Sequence, residues 1–229
     1  MIVTGTSRGL GRDVAAHYAN RGVRVFGCSR SPQALEHTNY THHRVDVSIE
    51  DDVCRFVRTV RREAGAIDAL ICNAGIVKSA LLAGITPFSV FHDFMNVMAG
   101  GTFLMCREVV KIMAAQRNGR IVTVGSIMTE LHGPGAAAYS AAKAAVVEFT
   151  KVLAREVAEY GVTCNVVSPS MIATESTEQF GQAWRDRMLG DQTLRRPVSV
   201  EELCHVIDFY LAPAAAAITG QVVHTCYVD

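Results

Sequence analysis

Short, nearly continuous apolar runs recur along the chain, at "MIVT", "VRVFGCS", "HRVDV", "DALICNAG", "GRIVTVGS", "VTCNVVS" and "TGQVVHT". Most are separated by longer stretches in which apolar residues return every three or four positions, the period of an amphipathic helix. Runs without polar alternation predict strands buried on both faces, and such strands belong to a parallel sheet enclosed between helix layers. The pattern therefore predicts an α/β fold, a doubly wound parallel sheet of about seven strands. The stretch "DDVCRFVRTVRREAG" shows the helical period clearly. Val53, Phe56, Val57 and Val60 fall on one face, and Arg55, Arg58, Arg61 and Arg62 on the other, which reads as a solvated helix face. No linker, low-complexity tract or internal repeat divides the chain, so residues 1–229 are expected to form a single domain.

Composition narrows the classes of function. A chain of 229 residues and 24.8 kDa is long enough for one substantial core,. Hydrophobic residues make up 49%, yet no apolar run approaches the ~18–20 residues of a membrane span and no signal peptide opens the chain. The seven cysteines are odd in number and never form C-x-x-C, which fits a reducing compartment, and a cytoplasmic location is expected. Lys plus Arg equals Asp plus Glu at 22 each, so no net field recruits nucleic acid or a membrane surface. "HHRVD" lacks a second ligand set at metal spacing, and no metal is expected,.

Two segments carry candidate chemistry. "VTGTSRGLGRDVAAHYANRG" runs from strand to glycine turn to helix, with Gly5, Gly9 and Gly11 where the backbone must turn and approach a ligand. N–H groups at that helix start would hold a pyrophosphate. An NAD-selective site places Asp or Glu after the second strand, whereas here Arg30 stands 19 residues past Gly11. Arg30 and Arg8 can pair with a 2′-phosphate, which favours NADPH; the alternative is two solvated loop arginines. The second segment is "SIMTELHGPGAAAYSAAK", where Tyr139 and Lys143 are four apart on a helix and share a face,. A lysine ammonium beside a phenol would lower the tyrosine pKa. Ser126 ends an apolar strand at the sheet edge where ligands bind, and can donate to a substrate oxygen.

The spacing Y-x-x-x-K is common by chance, but the ordered set is not. With "TGTSRGLG" at the start, "CNAG" after the fourth strand, "GS" 13 residues before the tyrosine and "NVVSPSMIAT" after the sixth, the chain resembles the short-chain dehydrogenase/reductase superfamily over almost its whole length. That resemblance implies a Rossmann fold and a substrate lid near 175–197. It implies that Ser126 orients a carbonyl, that Tyr139 transfers the proton and that Lys143 binds the nicotinamide ribose while tuning Tyr139. It further implies cofactor contacts from Asp46 and Val47 and from Asn73, Ala74 and Gly75, which join those expected of the glycine turn, Gly5, Ser7, Arg8, Gly9, Leu10 and Gly11, and of Arg30. Tyr139, Lys143, Pro169, Ile172 and Thr174 complete that set. A homo-oligomer, tetramer or dimer, goes with the family.

Three departures stand out. Ser170 follows Pro169 where the family usually has glycine, and the chain end reads "VVHTCYVD" in place of a D-G-G-type segment. Counting back from Phe103, Met98 takes the place of the family's relay asparagine, while Asn96 lies two residues earlier and faces elsewhere on a regular helix,. Phe180, Trp184, Met128 and Met171 are candidates for an apolar substrate pocket, each with core packing as its alternative. His132 and the arginines at 185, 187, 195 and 196 read first as solvated. The expected activity is NADPH-dependent reduction of a small-molecule or carrier-bound carbonyl, nearest the 3-oxoacyl-carrier-protein reductase branch. The alternatives are an alcohol or sugar dehydrogenase working oxidatively, and a cofactor-binding subunit without turnover.

Overall fold

A computed structural model describes residues 1–32, 35–78, 81–172, 177 and 181–228. The strands are β1 (Ile2–Thr4), β2 (Val25–Ser29), β3 (Tyr40–Arg44), β4 (Ala69–Cys72), β5 (Gly119–Val124), β6 (Val162–Ser168) and β7 (Val222–His224). They pair in parallel in the order β3-β2-β1-β4-β5-β6-β7. The helices are α1 (Gly9–Asn20), α2 (Glu50–Ala64), α3 (Phe88–Phe94), α4 (Gly101–Gln116), α5 (Met128–Leu131), α6 (Ala137–Val157), α7 (Gln182–Gly190) and α8 (Val200–Leu211). The doubly wound parallel sheet of the sequence reading is what the chain builds.

Alternate residues of one strand enter two separate cores. Ile2, Phe26, Leu70, Ile121 and Cys164 pack against α2, α4 and α6, whereas Val3, Val25, Ile71, Val122 and Val167 pack against α1 and α8. This is why the strands read as unbroken apolar runs: each has a helix layer on either side. Helix α2 buries the predicted valine and phenylalanine stripe and leaves Arg55, Arg58, Arg61 and Arg62 exposed. Its first turn carries Glu50, Asp51 and Asp52, matching the helix dipole, and Gly65 at φ 75° ends it,. Helix α8 starts with a reciprocal capping box between Ser199 and Glu202,. Tyr18 of α1 donates to Asp208 of α8 at 2.9 Å, tying that layer together.

The third strand is displaced from its expected place at "HRVDV". It runs over Tyr40–Arg44, with His42 opposite Gly27, and Val45 and Val47 lie beyond it in the turn to α2. Asp46 stops the strand by accepting from Ser48 N at 3.0 Å and Ser48 Oγ at 2.6 Å,. As an edge strand, β3 tolerates polar residues, and the apolar valines serve the turn's packing instead,. Among the described residues no helix is long and apolar enough to cross a membrane, and all seven cysteines are free.

Candidate active site

The strand order reverses between β1 and β4, and at their carboxyl ends opens a cavity of about 1020 Å³,. At one end lies the glycine turn. Thr4 Oγ1 accepts from the N–H groups of Asn73 (3.0 Å) and Ala74 (2.9 Å), and Asn73 Nδ2 donates to Thr4 O at 3.0 Å, so the loops after β1 and β4 are stitched into one wall. Gly5 sits at φ 76°, and a Cβ on Gly11 would collide with Gly5 O and Asn73 Nδ2. Helix α1 has no side-chain cap at Arg8, so its first N–H groups are available to an anion. That uncapped helix start, beside Gly5 and Gly11 where a Cβ has no room, suits a pyrophosphate. Asp46, Val47, Arg8 and Arg30 line the same end, the two arginines exposed.

The other end is built by β5 and α6. Buried Thr123 of β5 and Thr150 of α6 share a hydrogen bond of 2.8 Å, and Thr150 Oγ1 also donates to Val146 O at 2.7 Å, fixing the helix against the strand. Ser126, just past β5, is 8% exposed and accepts from Met128 N at 3.2 Å. One turn apart on α6, Tyr139 and Lys143 line the same cavity. Lys143 is buried, donates to Val124 O at 2.8 Å, and lies 5.9 Å from the centroid of the Tyr139 ring.

The electrostatics differ from the sequence expectation. Burial pushes the Tyr139 phenol up from its ordinary value, and the nearby Ser126 hydroxyl only opposes the shift. The expected lowering by lysine does not prevail, because Lys143 directs its ammonium to a backbone carbonyl and is itself desolvated, its pKa falling to about 8. Tyr139 is thus held as a protonated phenol, the form of a proton donor.

Met98 is 2% exposed and packs with Phe94 and Ala142 on the cavity wall, while Asn96 is exposed. The segment Met95–Gly100 is a π-helix between α3 and α4, so the α-helical angle does not apply; even so, methionine and not asparagine faces the site. Its apolar neighbours include Ile76 and Val90.

Every expected site residue in the described part of the chain lines this cavity, as do Met128, Met171 and Trp184. Thr174 and Phe180 lie outside the described residues, as does part of the expected lid; its helix is α7. His132 is exposed in the left-handed region at φ 49°. Arg196 forms an exposed pair with Glu202, and Arg185 donates to Gln182. The sequence reading missed Thr4, Phe94, Met188 and Lys78. Phe94 meets the Tyr139 ring edge-on at 5.8 Å; the three-residue spacing of Phe88, Phe91 and Phe94 was its only signal. Lys78 lines the cavity paired with Asp93.

A parallel sheet with a glycine-turn cradle at one end and a serine, tyrosine and lysine at the other defines an oxidoreductase of the dinucleotide-binding kind, and the chain belongs to the short-chain dehydrogenase family, whose profile matches residues 1–184. This family uses a nicotinamide cofactor. Relatives include the 3-oxoacyl-[acyl-carrier-protein] reductases of Escherichia coli K12, 33% identical over 97% of this chain and 93% of that protein, and of Vibrio harveyi, 34% identical with the same coverage. A crystal structure described as a gluconate dehydrogenase from Agrobacterium tumefaciens matches the fold with a TM-score of 0.90 at 24% identity, over 98% of this chain and 93% of that one.

Proposed function

We propose that this protein reduces a carbonyl to an alcohol with NADPH. The observation that carries the reading is the convergence of Ser126, Tyr139 and Lys143 on the cavity that also holds the glycine turn. The glycine turn and Asn73–Gly75 wall would hold the dinucleotide, Arg8 and Arg30 its 2′-phosphate, and Lys143 its nicotinamide ribose. The bound cofactor supplies a hydride to the carbonyl carbon. Ser126 donates to the carbonyl oxygen and orients it, and Tyr139 gives that oxygen its proton. Phe94, Met98, Met171, Met188 and Trp184 line the substrate side, and this apolar wall favours an acyl or cyclic ketone over a polyhydroxylated sugar acid. Exposed Phe103 on α4 and Val152 on α6 support a homo-oligomer, and seven free thiols support a cytoplasmic setting,.

The test is NADPH oxidation across acyl thioesters, cyclic ketones and quinones. Turnover with at least one class, lost on Tyr139→Phe, is expected. Cofactor binding with no carbonyl-dependent oxidation across the panel would replace this reading by that of a non-catalytic subunit.

A further inference from the structure

Three stretches distant in sequence meet behind the cavity wall that follows β6: residues 168–172, 191–198 and 224–228. At their centre is Gln192, 3% exposed. Its Oε1 accepts from Met171 N at 2.9 Å, while its Nε2 donates to Leu194 O at 3.1 Å and Arg196 O at 2.8 Å. Val198 N returns a bond to Met171 O at 2.9 Å. The chain's last residues hold the same loops from the other side. Thr225 N donates to Ser168 O at 3.1 Å, Ser170 N donates to Thr225 Oγ1 at 3.1 Å, and Thr193 N and Leu194 N donate to Cys226 O at 3.0 and 3.2 Å.

These bonds matter because Pro169, Ser170, Met171 and Ile172 all line the cavity, and Ile127 N, next to Ser126, donates to Pro169 O at 3.2 Å. Among the described residues the loop has one isolated bridge, Ile172 to Val198, and no ladder of its own. Its buried backbone groups need partners from elsewhere. A glutamine offers an acceptor and two donors on one planar group, and here all three are used to lock the wall to the segment after α7.

We propose that Gln192 is a positioning residue for the nicotinamide end of the cofactor site: through Met171 it fixes the wall beside Ser126 without touching the reacting atoms. The proposal rests on the reading that the cavity holds a nicotinamide dinucleotide. The adenosine end, at β2, is separated from β6 by β1, β4 and β5, so the two halves of the cofactor should respond differently.

The test is Gln192→Met, close in volume and unbranched but unable to make these bonds. NADPH binding is followed by quenching of Trp184, the single tryptophan, and 2′,5′-ADP binding by calorimetry. The NADPH dissociation constant should rise about tenfold, as expected when a buried group loses its partner, with that of 2′,5′-ADP within about twofold. Unchanged NADPH binding, or equal weakening of both ligands, overturns the proposal. Should Gln192→Met not fold, Gln192→Glu keeps the acceptor for Met171 N but gives up the amide donors to Leu194 O and Arg196 O, and must give the same split, reduced to about threefold,; no split overturns it. Wild-type protein that binds neither NADPH nor NADH would instead overturn the cofactor reading, and this proposal with it.

Discussion

Replacing Lys143 by methionine should make the folded protein more stable at neutral pH, although it removes a residue of the proposed catalytic set. Lys143 is buried, and desolvation drops its pKa from 10.5 to about 8. A shift of this size, at ~1.4 kcal/mol per unit, means that holding the ammonium inside the fold costs about 3 kcal/mol. Methionine loses the bond to Val124 O at 2.8 Å, worth ~1 kcal/mol, which leaves a net gain of about 2 kcal/mol at pH 7. The pH dependence fixes the sign. Below about 8 the lysine is charged in both folded and unfolded chains and the penalty is complete. Between about 8 and 10.5 the unfolded chain keeps the proton that the folded chain has released, so wild-type stability rises with pH relative to the variant,. Buried cysteines act in the opposite direction, since Cys164 and Cys204 are pushed up to about 12, but both proteins carry them and they cancel in the difference. Urea unfolding of the two cofactor-free proteins at one concentration, from pH 7 to 10.5, measures this. A variant no more stable at pH 7, or a stability difference that does not change with pH, would refute the reasoning.

The other expectations concern the cavity. Tyr139→Phe should lower kcat by about 10² or more while NADPH affinity, followed by Trp184 quenching, stays near wild type; a near-normal rate would remove Tyr139 from the mechanism. Arg30→Asp should weaken NADPH and relatively favour NADH, because a carboxylate repels the 2′-phosphate yet accepts from a ribose hydroxyl; an unchanged preference in steady-state kinetics would place selectivity elsewhere. Met98→Asn should cost about 2 kcal/mol or more in thermal or urea unfolding, since it puts an amide among Phe94, Ala142 and Ile76,; a melt equal to wild type would mean that the pocket supplies the amide with partners.

Much of this architecture was legible without coordinates. Short, mostly apolar runs such as "ALIC" and "VTCNVVS", separated by stretches of helical period, pointed to strands with cover on both faces and so to a parallel, doubly wound sheet,. Local spacing also fixed the Tyr139–Lys143 pair, because four residues on a helix place two side chains on one face whatever surrounds them. What the surroundings decided was different in kind. Lysine lowering the phenol pKa was a pairwise argument, and it gave way to burial, a property of every layer packed around the pair. The boundary of β3 moved because hydrogen bonding to β2, not apolar content, sets where an edge strand begins. Gln192 carried no signal at all: its three bonds reach Met171, 21 residues back, and two carbonyls of an irregular loop, a geometry that exists only once the chain has closed on itself. Periodicity and short-range spacing are written in the sequence because they depend on neighbours along the chain, whereas desolvation and the satisfaction of loop backbone depend on neighbours in space.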